Sequence, residues 1–419
     1  MDDSVQRRQI HLLLHAVDGC VPYLTPDILE KYFPPSDDLW IGIAVQDTCA
    51  LPVYETIKRK DTNSKPTNGN ANREKLADDA VKKQAQTSTN KPRGYTFGPA
   101  RPDPWLIPYN RVTVPSFNLV QDNIERHPNQ IKAPDVSSSA NQIHLWTPHG
   151  RQILSTELYA SAAEGLASHH TLSLYDMSNE ASKKRQEKAC LHNQLWLQGL
   201  LQRWRNETAP FGSKNIWAPL LIPPEESKTK EMLRDHIQSN LPNLAGVTLI
   251  GSWREGLEKQ LEALEVSNIA VLSTESLRQF LDIGCCKRIN VIGTDLPTRW
   301  AKAKIALGID YTCTYERKRP KTEMFDNEVL DANGCLDMND ERFRSDSRPL
   351  VEGCSCLACK GNQFTRAYVH HLVRAKELLA EILLFAHNLH HLLQICRALS
   401  STVNPEPLKS YFLNQLRSS

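Results

Sequence analysis

From about residue 140 the sequence alternates between short β-like apolar runs and longer stretches with helical spacing. The runs lie at 171–176, 216–222, 247–251, 269–272 and 289–292. The helical stretches lie between them, at 183–205, 225–239, 255–265 and 275–281. Strands separated by helices of about 10–15 residues are βαβ units, and these favour a parallel sheet. The last three runs recur at roughly 20-residue spacing, which suits a (β/α) barrel. An open doubly wound sheet has the same local pattern, so the alternation fixes the α/β class without choosing between the two. No G-x-G-x-x-G and no G-x-x-x-x-G-K-[ST] occurs, which argues against a dinucleotide or P-loop site.

Upstream, residues 39–45 read as a buried strand, and then the composition changes. Residues 56–93 hold ten basic and four acidic residues, no aromatic, and only Ile57, Leu76 and Val81 as large apolar side chains. Such a segment cannot bury enough surface to offset its chain entropy. It is expected to be a disordered basic insertion, solvated rather than engaged with RNA, and dispensable for folding. Over all 419 residues, 50 Lys and Arg against 48 Asp and Glu leave +2. Bulk electrostatics therefore does not mark a nucleic-acid binder. The 40% hydrophobic content rules out global disorder. No unbroken run of 18 apolar residues occurs, so no membrane-spanning helix is expected. The N-terminus is acidic, and its short apolar run carries His11 and His15, which makes a poor secretory signal.

The 11 cysteines are odd in number and mostly scattered, the usage of a reducing, cytosolic compartment. Three of them fall within six residues, in Gly353-Cys354-Ser355-Cys356-Leu357-Ala358-Cys359-Lys360. Three thiolates on a short loop converge on one tetrahedral ion if a fourth ligand arrives from elsewhere. Zn²⁺ with three Cys and one His is a closed structural site of formal charge −1, which Lys360 and Arg366 could offset. Spacing leaves the fourth ligand open. His370 and His371 lie near the cluster, and His387, His390 and His391 further on. Residues 366–399 have strong helical patterning. An unbroken helix from 366 to 387 would span about 30 Å, so His387 reaches the cluster only if the helix breaks and doubles back.

The stretch Pro349-Leu350-Val351-Glu352-Gly353-Cys354-Ser355-Cys356, with Cys359, Thr365-Arg366-Ala367-Tyr368-Val369-His370-His371-Leu372 and His387-Asn388, resembles the tRNA-guanine transglycosylase family. The resemblance is specific over 345–400, weaker back to about 140 and loose over 1–135. It implies an α/β fold: a (β/α)₈ TIM-type barrel over 1–344, with a zinc-binding subdomain and C-terminal helices over 345–419. It implies one structural Zn²⁺ on Cys354, Cys356, Cys359 and His387, with the helix broken around 373–376.

The family's reaction exchanges guanine at the tRNA wobble position for queuine or a precursor. A carboxylate attacks the ribose and a second aspartate handles protons. Catalytic members carry the nucleophile four residues before a Pro-Thr-Arg triplet. Here the triplet is Pro297-Thr298-Arg299, and the fourth residue before it is Gly293. Asp295 is displaced by two residues, 6–7 Å along a strand at about 3.3 Å per residue. It reads as a loop or capping residue. The second aspartate's place falls on Pro148, beside His149. Trp217-Ala218-Pro219-Leu220 stands where the family has a glycine-rich base-recognition segment, and Asp176 is a possible remnant of a base-binding position or a core-edge residue. The resemblance therefore implies a non-catalytic subunit with no catalytic residue of its own. It would pair as a heterodimer with a catalytic subunit and meet tRNA through that complex. It would reside in the cytoplasm, with peripheral association at the mitochondrial outer membrane possible within the family. Two alternatives are a transglycosylase using Asp295 as a relocated carboxylate, and a zinc-stabilised RNA-binding scaffold. Leu378, Leu379, Ile382, Leu383, Leu389, Leu392 and Leu393 cover more than one stripe of the last long helix. They suit either a partner surface or the chain's own core.

Overall fold

The computed structural model describes residues 8–17, 20–45, 106, 108–115, 138–139, 142–147, 150–176, 183–205, 215–221, 228–251, 253, 257, 261, 266–309, 311 and 334–417. Residues 1–51 and 99–419 make one compact unit. The second unit, 52–98, contains the expected basic insertion at 56–93 and lies outside the described residues.

The first unit starts with β1 (His11–His15), α1 (Pro26–Tyr32), β2 (Leu39–Ala44) and β3 (Asn110–Val114). A three-stranded antiparallel sheet follows, made of β4 (Ser138–Ser139), β5 (Gln142–Thr147) and β6 (Gly150–Ser155). Next come α2 (Thr156–Gly165), β7 (His170–Leu172), α3 (Lys183–Arg205), β8 (Asn215–Leu221), α4 (Lys228–Asn240), β9 (Gly246–Ile250) and β10 (Ile269–Val271). Then α5 (Leu277–Cys285), β11 (Ile289–Thr294) and α6 (Leu296–Lys302) complete the repeat. Strands β1, β2, β3, β7, β8, β9, β10 and β11 pair in that order, all in parallel, and β11 pairs with β1. The sheet closes into an eight-stranded barrel, which resolves the choice that alternation left open.

Local chemistry sets several boundaries. The hydroxyls of Ser155 and Ser276 accept the Leu158 and Gln279 N–H groups at 3.2 Å each, capping α2 and α5. Inside the barrel, Leu13, Trp40, Val112, Leu172, Trp217, Ile250, Ala270 and Val291 bring all eight strands into one buried cluster. Strand side chains alternate between faces, so Gly293 shares the lumen-facing side of β11 with Val291.

The C-terminal elements are β12 (Ile305–Leu307), β13 (Cys335–Asp337), α7 (Arg366–Arg374), α8 (Leu378–Ser401) and α9 (Glu406–Arg417). Strands β12 and β13 pair antiparallel. The long helix is broken as expected, between Arg374 and Leu378. The expectation about membrane-spanning length needs correction: α8, with 24 residues, is long and apolar enough to cross a membrane. An average over a window tolerates isolated polar residues that interrupt an unbroken run. Here 67% of that window is buried inside the protein, so α8 is a core helix. Leu383, Leu389, Leu392 and Leu393 all face the chain's own interior, and only Leu378 and Leu379 of the named set are exposed.

Candidate functional site

Candidate residues gather at two places, the cysteine cluster and the C-terminal mouth of the barrel. The cluster forms because α7 and α8 fold back on each other. Cys354, Cys356, Cys359 and His387 are all buried, with their ligand atoms within 4.8 Å of one another. His387 Nδ1 lies 3.3 Å from Cys356 Sγ and 3.5 Å from Cys359 Sγ. Around a tetrahedral zinc with Zn–S near 2.3 Å, ligand atoms stand about 3.8 Å apart, so the set fits such an ion. The other face of the ring agrees. His387 Nε2 donates to the Leu307 carbonyl at 2.9 Å, which leaves the Nδ1 lone pair toward the sulfurs. The neighbouring Asn388 ties the same strand, accepting Leu307 N–H at 2.8 Å and donating to Ile305 O at 2.9 Å.

The electrostatics are those of a cation site. Hydrogen bonds from Cys356 and Cys359 hold the Cys354 thiol far below its ordinary range, while burial and Cys354 push Cys356 up. Burial pulls His387 down, but Cys359 and Cys354 outweigh it and raise the ring to about 10. A proton and a metal ion thus compete for the same nitrogen.

His370 is not part of the cluster; its Nδ1 donates to Met338 O at 2.9 Å, and His371 is exposed. Arg366 does not offset the thiolates as expected. It is buried, donates to Pro349 O and Leu350 O at 2.8 and 2.7 Å, and pairs with Asp346 at 3.3 Å. Its guanidinium fork matches a bent loop backbone better than a cluster of sulfurs. Thr365 caps α7 through the Tyr368 N–H at 3.2 Å.

At the barrel mouth, Gly293 pairs in register with Leu13 and is covered by the segment after β10. A Cβ added at Gly293 would lie 2.5 Å from the Leu272 carbonyl carbon and closer still to its oxygen. Real Cβ atoms do not approach backbone so closely, so this position admits no side chain without moving the backbone. Several bonds hold the segment there. Buried His15 donates from Nε2 to Leu272 O at 2.6 Å. Thr274 bonds the Thr294 hydroxyl at 2.9 Å, and Arg299 donates to Thr274 O at 2.8 Å. Burial lowers the His15 pKa. Asp295 sits at the N-cap of α6 but makes no side-chain cap bond. Its carboxylate accepts from Arg299 Nε at 2.9 Å instead.

A family profile described as queuine tRNA-ribosyltransferase matches residues 121–417, more than half of the chain. The chain belongs to the queuine tRNA-ribosyltransferase family. It is 25% identical over 312 residues to "Queuine tRNA-ribosyltransferase accessory subunit 2" of Drosophila virilis, covering 71% of this chain and 70% of the relative. The protein of the same name from Schizosaccharomyces pombe is 28% identical over 261 residues, with 61% and 55% covered. A "Queuine tRNA-ribosyltransferase" of Chlamydia trachomatis is 35% identical over 153 residues, 36% of each chain.

Pro148 and His149 lie outside the described residues. Asp176 follows β7 and is buried, with both carboxylate oxygens accepting from Arg185 at 2.8 and 3.0 Å. Asn193 brackets its backbone, accepting Asp176 N–H at 2.6 Å and donating to its carbonyl at 3.2 Å. That is the core-edge arrangement, with the carboxylate committed to an internal partner. Trp217 turns into the barrel lumen at the strand's N-terminal end. The contact of the Leu272 carbonyl with Gly293, held by His15, is not legible in the sequence. Its only local sign was a histidine ending an apolar run.

Proposed function

We propose that this chain is the non-catalytic subunit of a queuine tRNA-ribosyltransferase, paired with a catalytic subunit that exchanges guanine for queuine at the tRNA wobble position. The observation that carries the reading is Gly293. The nucleophile's register holds no carboxylate, and Leu272 backbone occupies the space a side chain would need. Covalent displacement needs a carboxylate within near-attack reach of the ribose carbon. Asp295, the nearest one in sequence, is held by Arg299 in the turn after β11. The names of the fly and fission-yeast relatives support the same assignment.

In this reading Cys354, Cys356, Cys359 and His387 hold one structural Zn²⁺ that stabilises the subdomain 345–419. Three thiolates and an imidazole suit zinc, and a fourfold protein shell leaves no open position for a reacting ligand. Exposed Leu378, Leu379 and Tyr368, at 63%, 36% and 42%, are offered as part of the surface that meets the catalytic subunit. tRNA is met through the assembled pair. We place the complex in the cytoplasm, where the free thiols among the described residues suit a reducing compartment.

The test is labelled-guanine exchange into tRNA. The chain alone should give no exchange and no covalent adduct with tRNA, and activity should appear on adding a catalytic subunit. Asp295→Asn should leave that activity largely intact. Turnover by the chain alone that disappears in Asp295→Asn would overturn the reading in favour of a relocated carboxylate. Failure to stimulate any catalytic subunit would favour a scaffold.

A further inference from the structure

Filled by zinc, the cysteine cluster holds a buried negative charge that Arg366 does not offset. Zn²⁺ with three thiolates is net negative, and a buried charge is costly unless it is paired or hydrogen-bonded. Arg366 is committed to Pro349 O, Leu350 O and Asp346, and Lys360 is exposed. Sulfur keeps lone pairs when it binds a metal, so a donor from outside the ligand set can spread that charge.

His391 is the side chain in place to do so. It follows His387 by about one turn of α8, so the two rings leave the helix on the same face. It is fully buried. The His387 and His391 ring centroids are 4.2 Å apart, with 44° between planes. Tyr311 stands edge-on to His391, at 4.7 Å and 90°. The Tyr311 hydroxyl is already used, donating to His390 Nε2 at 3.0 Å. Neither Nδ1 nor Nε2 of His391 has a hydrogen-bond partner among the described residues. The ligand atoms that lie within 4.8 Å of one another are those of Cys354, Cys356, Cys359 and His387, so His391 stands outside the ligand set.

A ring kept for packing alone would be phenylalanine here. The edge of Tyr311 and the face of His387 suit an apolar ring, whereas a buried polar atom left unpaired costs about 1–3 kcal/mol. The electrostatic partner of the ring is Cys354. Burial and His387 lower His391 to about 4, so the ring is neutral at pH 7 and carries one N–H. Cys354 pulls against that shift as a hydrogen-bonding group, and His391 joins Cys356, Cys359 and His387 in lowering Cys354.

We propose that His391 is a positioning residue of the metal site: it donates its ring N–H to the Cys354 thiolate, holding that sulfur on the zinc and spreading the negative charge of the site. The inference rests on the zinc reading and adds to it a residue beyond the four ligands.

Transfer of zinc from the full chain to a coloured chelator tests it. His391→Phe keeps a ring of similar shape but removes the N–H, and zinc should leave at least about tenfold faster. His391→Asn and His391→Gln each keep an N–H donor, and at least one should recover most of that loss. In the cobalt(II)-substituted chain, His391→Phe should move the sulfur-to-metal charge-transfer band to lower energy, because a thiolate without its hydrogen bond gives up charge more readily. A ring that only packs would leave the band in place. If His391→Phe does not fold, the unaltered chain decides by NMR. Loaded with a spin-active cadmium isotope, it should show a His391 ring N–H coupled to the metal through sulfur, and no coupling would overturn the proposal. Unchanged release with an unmoved band in folded His391→Phe, or fast release from all three variants, would overturn it as well. Both of those outcomes leave zinc in the unaltered chain; an unaltered chain that purifies without zinc would instead overturn the zinc reading, and this inference with it.

Discussion

One residue in the barrel and one in the C-terminal subdomain make two different functional arguments. At Gly293 the argument is steric. A side chain in the nucleophile's register meets Leu272 backbone, held by His15 and by the hydroxyl pair Thr274–Thr294. Gly293→Asp should therefore not create an enzyme. We expect no guanine exchange from the isolated variant and a loss of about 2 kcal/mol or more in urea unfolding, from overpacking and a buried charge. Exchange gained by this variant would show that the Leu272 backbone yields to a side chain at this position. At His387 the argument is chemical. Its Nε2 is tied to Leu307 O and its Nδ1 faces the sulfurs, whereas His370 is tied to Met338 O. His387→Ala should lose the metal by elemental analysis and lower the melting temperature by roughly 5 °C or more. His370→Ala should keep the metal and lose only about 1 kcal/mol for its hydrogen bond. The reverse pattern would reassign the ligand.

At the scale of elements, the turn between α7 and α8 decides whether the metal site exists. The Glu377 N–H bonds Leu372 O at 2.9 Å and the Lys376 N–H bonds Val373 O at 3.1 Å, the paired bonds of a Schellman ending. The residue that must turn left-handed is Lys376, at φ 59°. Glycine is the usual occupant of that place because it has no Cβ to strain. The break is required by the distance from Cys359 to His387, yet no glycine or proline marks it in the sequence. Lys376→Gly should relieve the left-handed strain and stabilise the fold by about 0.5–1 kcal/mol. An unchanged or lowered urea midpoint would show that the lysine side chain makes a compensating contact. The helix α8 carries a related lesson. Its apolar stripes suit either a partner surface or the chain's own core, and most of them are buried by the chain's own β12, α6 and barrel wall.

For the whole molecule, buried neutral histidines link stability to pH. Burial lowers His11, His15 and His170, the last to about 4. The unfolded chain takes up these protons near pH 6.5, while the folded chain resists them. Between about pH 6.5 and 4 the unfolded state binds more protons, so stability falls as pH drops through that window. His170 alone should account for a loss on the order of 1–2 kcal/mol by about pH 5. Urea titrations at pH 7.5 and 5 should show this fall, and His170→Gln should make it shallower. A slope untouched by the variant would place the titration elsewhere.

The α/β alternation and the strand–helix order were legible in the sequence, because a strand buried by helices and a helix buried on one face each leave a local period. The three cysteines were legible because metal ligands on a loop must be close in sequence to be close in space. The fold family was legible from the residues around them. Barrel closure was not, since β1 meets β11 only once all eight strands have twisted round. The fourth ligand could not be chosen by spacing, because a left-handed lysine, silent in the pattern, sets the reversal that delivers His387. The two mouths of the barrel are the furthest from sequence. Leu272 meets Gly293 through the register of neighbouring β10 and β11, and Trp40 lies between the histidines that begin β1 and β7. Only tertiary structure sets them, since neither the close approach of Leu272 to Gly293 nor the stacked rings leave a period or a motif along the chain.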